Sequence, residues 1–187
     1  MGDINDTKSR EGKISVGVTG KMGAGKSTVA HIIADTLDGQ VLSIAGKFKA
    51  LIKELELPYH REILQETGDF FRRWDELVWI RSVLKTAQSV ESPVVIDDIR
   101  YHNERDELKK HAFWIIRVVA TEETRRTRIA RRDLLTITDE EWESWKDHAT
   151  EREISEIEVD FEVENNGSLD NLRTQLLAII AQITKNT

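Results

Sequence analysis

The string GKMGAGKS at residues 20–27 constrains the fold of this chain more than any other stretch. It fits the pattern G-x-x-x-x-G-K-[ST], in which glycines let the backbone turn sharply and bring successive N–H groups toward one anion. The apolar, β-branched stretch ISVGVT at 14–19 predicts a buried strand before it. A helix after it is predicted by apolar residues at helical spacing, namely Val29, Ile32, Ile33 and Leu37. A strand, this turn and a helix in that order form a phosphate-binding loop, the P-loop.

The P-loop predicts a site for a nucleotide triphosphate with Mg²⁺, so we predict ATP and Mg²⁺ as cofactors. Lys26 would reach the β- and γ-phosphates, and Ser27 would place its hydroxyl on the metal. Because we expect Lys26 to be exposed in the cleft, its replacement by Ala should remove activity and leave the fold largely intact. A dinucleotide-binding pattern is excluded, since its third glycine would fall at Thr28. The predicted nucleotide-binding residues of the loop are Gly20, Lys21, Met22, Gly23, Ala24, Gly25, Lys26, Ser27 and Thr28.

A second candidate site lies at the end of the apolar stretch PVVIDDI at 93–99, which predicts a buried strand. A Mg²⁺ ion at Ser27 needs a second anchor, and a carboxylate at a strand end supplies one. Asp97 and Asp98 point to opposite sides of an extended strand, so they predict different roles. We assign Asp97 to the metal and Asp98 to catalysis together with Lys26 and Arg100, although the pattern leaves open which aspartate supports Mg²⁺. Arg100 would share the side of Asp98 and suits a bidentate grip on an acceptor phosphate, or else forms a surface ion pair with Asp98.

Five arginines lie in TEETRRTRIARRD at 121–133, where a helix is predicted over 122–132. Cations that neutralise moving charge stabilise a phosphoryl-transfer transition state, so this arginine helix predicts a lid over about 122–150. We favour Arg128 and Arg132 as catalytic residues over Arg125, because they lie further toward a mobile segment. The alternative is a solvated helix face that pairs with Glu122 and Glu123.

The stretch of about 46–90, here called the acceptor insert, is predicted to be helical and to bind the acceptor. It carries the basic and polar residues that we assign to the substrate together with Arg100, namely Lys47, Arg61, Gln65, Arg72 and Arg73. Aromatic residues at helical spacing more often fill a core than support a ligand, so Trp74 and Trp79 are predicted to be core residues. Trp142 and Trp145 are likewise predicted to pack.

Strands alternate with helices along the chain, with further strands predicted at 41–44, 111–120 and 157–164. This pattern predicts an α/β fold of three layers, a five-stranded, mostly parallel sheet with helices on both faces. The strict alternation in IEVDFEVE at 157–164 predicts a strand at the sheet edge. Gly39 is predicted to end the first helix and Ser168 to cap the last one. A length of 187 residues predicts one domain, 13–187, after a disordered tail at 1–12.

Composition excludes several classes of function. A net charge of −7 argues against a nucleic-acid polymer as partner, and no apolar run is long enough to span a membrane. The absence of cysteine excludes disulfides and thiolate nucleophiles. The start of the sequence carries no apolar signal segment, so we expect a cytoplasmic protein. The expected partners are a nucleotide donor and a small anionic acceptor, and the oligomeric state is left open.

The P-loop, REILQETGDFFRRWDELVW at 61–79 and VVIDDIRYHNERDEL at 94–108 together resemble the deoxynucleoside monophosphate kinases of phage and bacteria. The later stretches IIRVVATEETRRTR, DHATERE and FEVENNGSLDNL also resemble phosphomevalonate kinase of animals and the dephospho-CoA kinase-like proteins. The first family has a Q-x-x-G helix followed by arginine and tryptophan, and then D-x-R with a downstream Asn-Glu. In this chain those positions are Gln65, Gly68, Arg72 or Arg73, Trp79, Asp98, Arg100, Asn103 and Glu104.

The resemblance implies an ATP-binding core, a helical acceptor insert and an arginine-rich lid. It also implies a loop for the nucleotide base near Asn165, Asn166 and Gly167, from which we assign Asn166 to the nucleotide. The chain departs from the family at Asp97 and Asp98, since the family usually has one Asp before the D-x-R arginine.

The favoured interpretation is an ATP-dependent P-loop kinase that transfers the γ-phosphate to a small phosphorylated acceptor, above all a (deoxy)nucleoside monophosphate. A phosphate acceptor is already anionic, so positioning and charge neutralisation suffice. The alternatives are a dephospho-CoA-like hydroxyl acceptor, with Asp98 as base, and a phosphomevalonate-like phosphate acceptor. A regulatory NTPase is less favoured, because the sequence has no Asn-Lys-x-Asp guanine signature and no Asp-x-x-Gly switch after the third strand.

Overall fold

A computed structural model describes residues 13–58, 61–134, 136–146 and 149–186. The side chains of residues 61, 62, 65, 149 and 150 are outside this description. The tail predicted at 1–12 also lies outside the described residues.

Strands and helices alternate through most of the described chain, as the sequence predicts. Their order is β1 Ser15–Thr19, α1 Lys26–Leu37, β2 Gln40–Ser43, α2 Ile44–Glu54, α3 Arg61–Arg72, α4 Val78–Gln88, β3 Val94–Ile99, α5 His102–Lys110, β4 Trp114–Val119, α6 Glu122–Asp133, α7 Asp139–Lys146, α8 Ala149–Glu156, β5 Phe161–Glu164 and α9 Leu169–Lys185. The acceptor insert corresponds to α2, α3 and α4. Two helices, α5 and α8, were not predicted.

The five strands form one sheet in the order β2-β3-β1-β4-β5. Every neighbouring pair is parallel, so the prediction of a five-stranded, mostly parallel sheet is confirmed. The carboxyl ends of parallel strands meet at one edge, where ligands bind in open α/β sheets. Because β1 and β3 are neighbours, the P-loop that follows β1 lies beside Asp97 and Asp98 at the end of β3.

Apolar residues on the two faces of the sheet form two separate cores. On one face, Val16 and Val18 of β1 pack in a cluster with α1 and α9. On the other face, Ile96 and Ile99 of β3 pack in a cluster with residues of α4 and with Leu108 of α5. The sheet is thereby covered on both faces, and its central strands are held rigidly under the P-loop.

The edge strand β5 is shorter than its sequence pattern suggests. It spans Phe161–Glu164 and lies beside β4 at one end of the strand order, so the predicted edge position is confirmed. Ile157 lies outside the strand and is fully buried in the second core, next to Ile154 of α8. The alternation over 157–164 therefore joins the end of a helix to a short strand.

The predictions for helix ends and for tryptophan burial agree with the structure in part. Ser168 caps α9 as predicted, because its Oγ accepts the N–H of Asn171 at 3.3 Å. Helix α1 ends at Leu37, just before the predicted Gly39, whose N–H donates to the carbonyl of Ala34 at 2.8 Å, while Asp38 takes the left-handed position with φ 52°. Trp79 is buried as predicted, but Trp74 is 83% exposed, so its assignment to the core is wrong.

The other two tryptophans pack as predicted. Trp142 of α7 is buried in a third, small cluster with Ile129 and Ile137, and Trp145 packs against that cluster. This cluster joins α6 to α7, so the arginine helix is held on its apolar side. None of the described helices is long and apolar enough to cross a membrane.

Candidate active site

The P-loop joins β1 to α1 through glycines that take up backbone angles other residues avoid. Gly20, Gly23 and Gly25 have φ values of 149°, 77° and 97°. A Cβ atom on Gly20 would lie 2.6 Å from the carbonyl oxygen of Val118 in β4, so only glycine fits there. The sharp turn that the motif predicts is therefore built by residue type and by close contact with the neighbouring strand.

Backbone N–H groups of this loop are left for an anion. The N–H of Ala24 donates to the carbonyl of Lys21 at 3.1 Å and closes a turn. Among hydrogen bonds between described residues, none uses the N–H groups of Gly23, Gly25, Lys26, Ser27 or Thr28. Unpaired N–H groups at a helix start attract phosphate, and the helix dipole adds to the attraction. The loop therefore fits the triphosphate that the sequence predicts.

Lys26 lies in the floor of the loop instead of projecting into solvent. Its Nζ donates to the carbonyl of Gly20 at 2.7 Å and to that of Lys21 at 3.3 Å. The same Nζ lies 3.3 Å from Oδ1 of Asp98, and the lysine side chain is 10% exposed. The expectation of an exposed lysine is therefore wrong, and its charge also stabilises the loop.

Ser27 and Asp97 form an oxygen-rich corner beside the lysine. The Ser27 hydroxyl donates to Oδ2 of Asp97 at 2.7 Å. Asp97 is 7% exposed, and burial raises the pKa of its carboxyl despite the Ser27 hydrogen bond and the Lys26 charge. Its other oxygen, Oδ1, is buried and has no hydrogen-bond partner among the described residues. Carboxylate and hydroxyl oxygens are the ligands that Mg²⁺ prefers, so this corner fits the metal.

The end of β3 is not extended, which changes the geometry assumed from the sequence. Asp98 has φ 70°, and the register between β1 and β3 shifts just before Thr19 and Ile99. This irregularity brings both carboxylates to the P-loop, where Asp97 contacts Ser27 and Asp98 contacts Lys26. The inference that they point to opposite sides of a strand therefore does not hold, but they do have separate partners.

Asp98 is held ionised between two cations. Arg100 donates from Nε to Oδ2 of Asp98 at 3.0 Å, while Lys26 lies at the other oxygen. Burial raises the pKa of Asp98, but the attraction of Lys26 and Arg100 outweighs it and lowers the pKa below its ordinary value. Asp98 in turn raises the pKa of Arg100. A carboxylate stabilised in this way is a poor proton acceptor.

Glu104 of α5 brings two arginines from different elements together. Its Oε2 accepts the backbone N–H of Arg100 at 3.0 Å, and its Oε1 accepts from Nη2 of Arg72 at 3.3 Å. Glu104 is 1% exposed, and burial raises its pKa even though Arg72 lies close. The guanidinium of Arg72 also stacks over the ring of Tyr101 at 4.6 Å. Glu104 thus links the Arg72 side chain of the acceptor insert to the backbone of Arg100, whose guanidinium pairs with Asp98.

The other residues that the sequence assigns to the acceptor have different contacts from those of Arg72 and Arg100. Lys47 donates to the Thr86 hydroxyl of α4 at 2.9 Å. Arg73 is exposed and lies over the ring of Phe70 at 5.6 Å. The side chains of Arg61 and Gln65 lie outside the described part of the chain.

Helix α6 presses its arginines against the P-loop. Arg128 donates to the carbonyl of Ala24 and to Oδ1 of Asn165, both at 3.2 Å. Asn165 donates from Nδ2 to the same Ala24 carbonyl at 2.8 Å. Arg125 is 6% exposed, and it donates to the carbonyl of Met22 at 3.4 Å. Arg125, which the sequence disfavoured, is therefore as close to the loop as Arg128.

Two other predicted residues lie further from the loop. Arg132 is exposed and pairs with the adjacent Asp133 at 2.6 Å. Asn166 is exposed, and its Oδ1 accepts the N–H of Thr121 at 2.7 Å. The neighbouring Asn165 is the asparagine that contacts the P-loop. The solvated arginines pair with Asp133 and Asp139, and Glu122 pairs instead with Lys146.

Comparison with known families adds to this geometry. A family described as AAA domain matches residues 16–156, from the strand before the P-loop to the end of α8. The chain belongs to the AAA domain family. No curated protein matches the sequence.

Solved structures with a similar fold include several kinases. A shikimate kinase from Acinetobacter baumannii in complex with shikimate is 18% identical, covers 95% of this chain and 96% of its own, and has a TM-score of 0.62. A gluconokinase from Sinorhizobium meliloti 1021 is 16% identical, with 92% and 94% coverage and a TM-score of 0.60. TT1252 from Thermus thermophilus is 23% identical, with 91% and 97% coverage and a TM-score of 0.60. The predicted P-loop kinase fold of this family member is confirmed.

Several site residues have signals that sequence reasoning passed over. Glu104 was named only through the resemblance, although a Glu in the first turn of a helix after a strand end is a candidate on its own. Asn165 and Asn166 are adjacent, and only the structure separates the buried one from the exposed one. Glu151 of α8 also reaches the P-loop, and no residue pattern predicted the helix that carries it.

Proposed function

We propose that this protein is an ATP-dependent phosphotransferase that moves the γ-phosphate to a small phosphorylated acceptor. A (deoxy)nucleoside monophosphate is the acceptor class that we favour. The observation that carries the proposal is that Glu104 binds both the Arg72 guanidinium and the backbone N–H of Arg100, whose own guanidinium pairs with Asp98 beside Lys26. Two guanidinium groups beside a P-loop suit a second phosphate in addition to the triphosphate.

The donor side of the proposed reaction follows from the P-loop. The free N–H groups and Lys26 would bind the β- and γ-phosphates of ATP. Ser27 and Asp97 would hold Mg²⁺, which supplies charge neutralisation at the phosphate oxygens when it is bound. We infer that Asp97 is the metal carboxylate and Asp98 is not, because Asp98 is already paired with Lys26 and Arg100.

The acceptor side of the proposed reaction needs no strong base. A phosphate oxygen is already anionic, so positioning and charge neutralisation can carry the step. The lowered pKa of Asp98, which burial opposes and Lys26 and Arg100 enforce, makes this residue a weak base. This electrostatic setting supports a phosphate acceptor over a hydroxyl acceptor. In the proposed reaction Asp98 keeps Lys26 and Arg100 oriented.

The arginine helix supports the proposed transfer from the other side. We propose that Arg128 neutralises phosphate charge as part of a lid over about 122–150. Arg132 pairs with Asp133, so it would contact a phosphate only after the end of α6 moves. The lid, the acceptor insert of about 46–90 and the P-loop core would act within a single domain, 13–187, in the cytoplasm.

A second candidate is a small-molecule kinase with another acceptor, either a dephospho-CoA-like hydroxyl or a phosphomevalonate-like phosphate. The similarity in fold to a shikimate kinase and a gluconokinase favours keeping it. A regulatory NTPase is the least supported, because Arg100 at Asp98 and Arg72 at Glu104 would have no acceptor to bind.

An ATP-consumption screen tests the proposal. The panel contains the eight common nucleoside and deoxynucleoside monophosphates with phosphomevalonate, dephospho-CoA, shikimate and gluconate. We expect turnover with a monophosphate, and silence across the whole panel would contradict the proposal. The variant Arg100→Met should raise the KM for that acceptor by about 10- to 100-fold, because it removes hydrogen bonds to a charged group. The matched variant Arg173→Met, at an exposed arginine of α9 outside the assigned site, serves as the control.

A further inference from the structure

The carboxylate of Glu151 is buried against the P-loop, although it belongs to a helix far along the chain. Glu151 is 5% exposed and lies in the first turn of α8. Its Oε1 and Oε2 accept the backbone N–H of Met22 at 3.1 Å and 3.0 Å. A buried carboxylate is costly unless it is paired, so this contact is a specific part of the fold.

The two peptide groups that meet at Met22 are each held by a side chain. Glu151 accepts the Met22 N–H, and Arg125 of α6 donates to the Met22 carbonyl oxygen at 3.4 Å. Next to it, a Cβ atom on Gly23 would lie 2.7 Å from the backbone oxygen of Arg125, so α6 lies directly against the loop. The orientation of the peptide groups on either side of Met22 fixes where the following N–H groups of the P-loop point.

Charges around the carboxylate favour its position. Burial lowers the pKa of Arg125, and the negative charge of Glu151 opposes that shift. Asp98 raises the pKa of Arg100, and Glu151 adds to that effect. Glu151 therefore interacts with one arginine of α6 and with one that follows β3.

Helix α8 is itself fixed to the core, so it can hold Glu151 in place. Ile154 and Ile157 are fully buried against the sheet. Glu153 accepts the N–H of His102 at the start of α5, at 3.0 Å. The contact to Met22 is thus made from a rigid element, which is the condition for a side chain to set the geometry of a site.

We propose that Glu151 is a positioning residue, which holds the Met22 peptide and the flanking arginines so that the P-loop N–H groups converge on the phosphates of the nucleotide. This inference rests on the proposed nucleotide site, and it adds a residue that does not touch the nucleotide. The opposite interpretation is that the carboxylate competes with phosphate for the loop. The two interpretations predict effects of opposite sign on nucleotide affinity.

The test compares Glu151→Ala, Glu151→Gln and the control Glu156→Gln, which removes the same charge at an exposed position of α8. The probe is MgATP, titrated calorimetrically without any acceptor at a temperature where all variants are folded. We expect the Kd for MgATP to rise by about tenfold in the Ala variant, because a hydrogen bond to a charged group is lost. The Gln variant should lie closer to the wild type, since its amide oxygen still accepts from Met22, and the control should match the wild type.

Amide hydrogen exchange supplies a readout that does not depend on ATP. The Met22 N–H should be protected in the wild type and in the Gln variant, and should exchange faster in the Ala variant. Failure of every acceptor in the kinase screen would leave both of these measurements intact, so the two proposals fail separately. The positioning role would be overturned if Glu151→Ala left the Kd for MgATP unchanged and lowered only Tm, or if it made the Kd tighter. Equal losses of MgATP affinity in Glu151→Ala and Glu151→Gln would also overturn it.

Discussion

Two adjacent asparagines give the sharpest test of how the P-loop is held. The Asn165 side chain is buried and makes two hydrogen bonds to other described residues, one to the Ala24 carbonyl and one with Arg128. Asn166 is exposed and makes one, with the N–H of Thr121. The sequence resemblance assigns Asn166 to the nucleotide, whereas the contacts favour Asn165 as the residue that supports the loop. The substitutions Asn165→Ala and Asn166→Ala therefore form a matched pair.

The contacts set the size of the expected effect. Each net hydrogen bond contributes about 0.5–1.5 kcal/mol, so losing the two bonds of Asn165 should cost about 2 kcal/mol of unfolding free energy. The Ala24 carbonyl still accepts from Arg128 in that variant, so no further penalty for an unpaired group is added. A chain of this size loses about 2–4 °C of Tm per kcal/mol, which predicts a decrease of about 4–8 °C. Asn166→Ala, at an exposed site, should lower Tm by less than about 2 °C.

Thermal unfolding followed by circular dichroism and titration with MgATP together decide the question. We expect Asn165→Ala to lower both Tm and ATP affinity, because the loop loses its support next to Gly25. A larger loss of ATP affinity in Asn166→Ala than in Asn165→Ala would refute this reasoning and would favour direct contact of Asn166 with the base. Equal Tm values for the two variants would refute the calculated stability difference.

Three further predictions concern the charged groups at the P-loop. Lys26→Met should reduce kcat by about 100-fold or more, because the phosphates lose a cation. It should also lower Tm, because Asp98 loses one of its two cations. An unchanged Tm would show that the lysine does not stabilise the loop. Burial raises the pKa of Asp97 above its ordinary value of 3.8, so protonation should remove the metal ligand at a higher pH than for an exposed carboxylate. A pH profile of kcat should therefore show activity falling on the acid side with a raised midpoint. Excess Mg²⁺ should shift that midpoint to lower pH. Asp98→Asn should weaken transfer to a phosphate acceptor but abolish transfer to a hydroxyl, and comparing products across the acceptor panel separates the two cases.

The sign of the Asp97 effect on stability differs from its effect on activity. A carboxyl whose pKa is higher in the folded protein binds a proton more tightly when folded. Protonated Asp97 therefore contributes to folding stability below the ordinary pKa of 3.8, and this contribution is lost as the pH rises through the raised pKa. In Asp97→Asn the stability should no longer decrease over that pH range for this reason. Thermal unfolding measured across the range tests this.

The sheet and the P-loop could be predicted because their signals are local. Buried parallel strands appear as short apolar runs, and a glycine-rich turn between a strand and a helix has few other uses. The placement of Asp98 could not be predicted, since the rule of alternating sides holds only while a strand stays extended, and φ is 70° at this residue. Trp74 shows the same limit for packing, because nothing nearby in sequence distinguishes it from the buried Trp79.

Which arginines of α6 contact the P-loop could not be predicted from the sequence either. Arg125 and Arg128 contact the loop and Arg132 does not, although all three follow helical spacing. The difference arises from where α6 docks, and docking depends on the small core around Trp142. Glu104 and Glu151 are similar cases, because each of these buried carboxylates has a partner on another element, Arg72 for Glu104 and Met22 for Glu151.

The support of the P-loop from distant residues also bears on how the chain folds. The contacts of Arg125, Glu151 and Asn165 with the loop span sequence separations of 103, 129 and 141 residues. Contacts of such long range form late, because the loop entropy of bringing their ends together must first be overcome. During synthesis, the phosphate-binding turn would therefore reach its final shape only after β5 and the residues just beyond it have emerged. The ability to bind a nucleotide would then depend on the arrival of a strand that follows the P-loop by more than half the length of this domain.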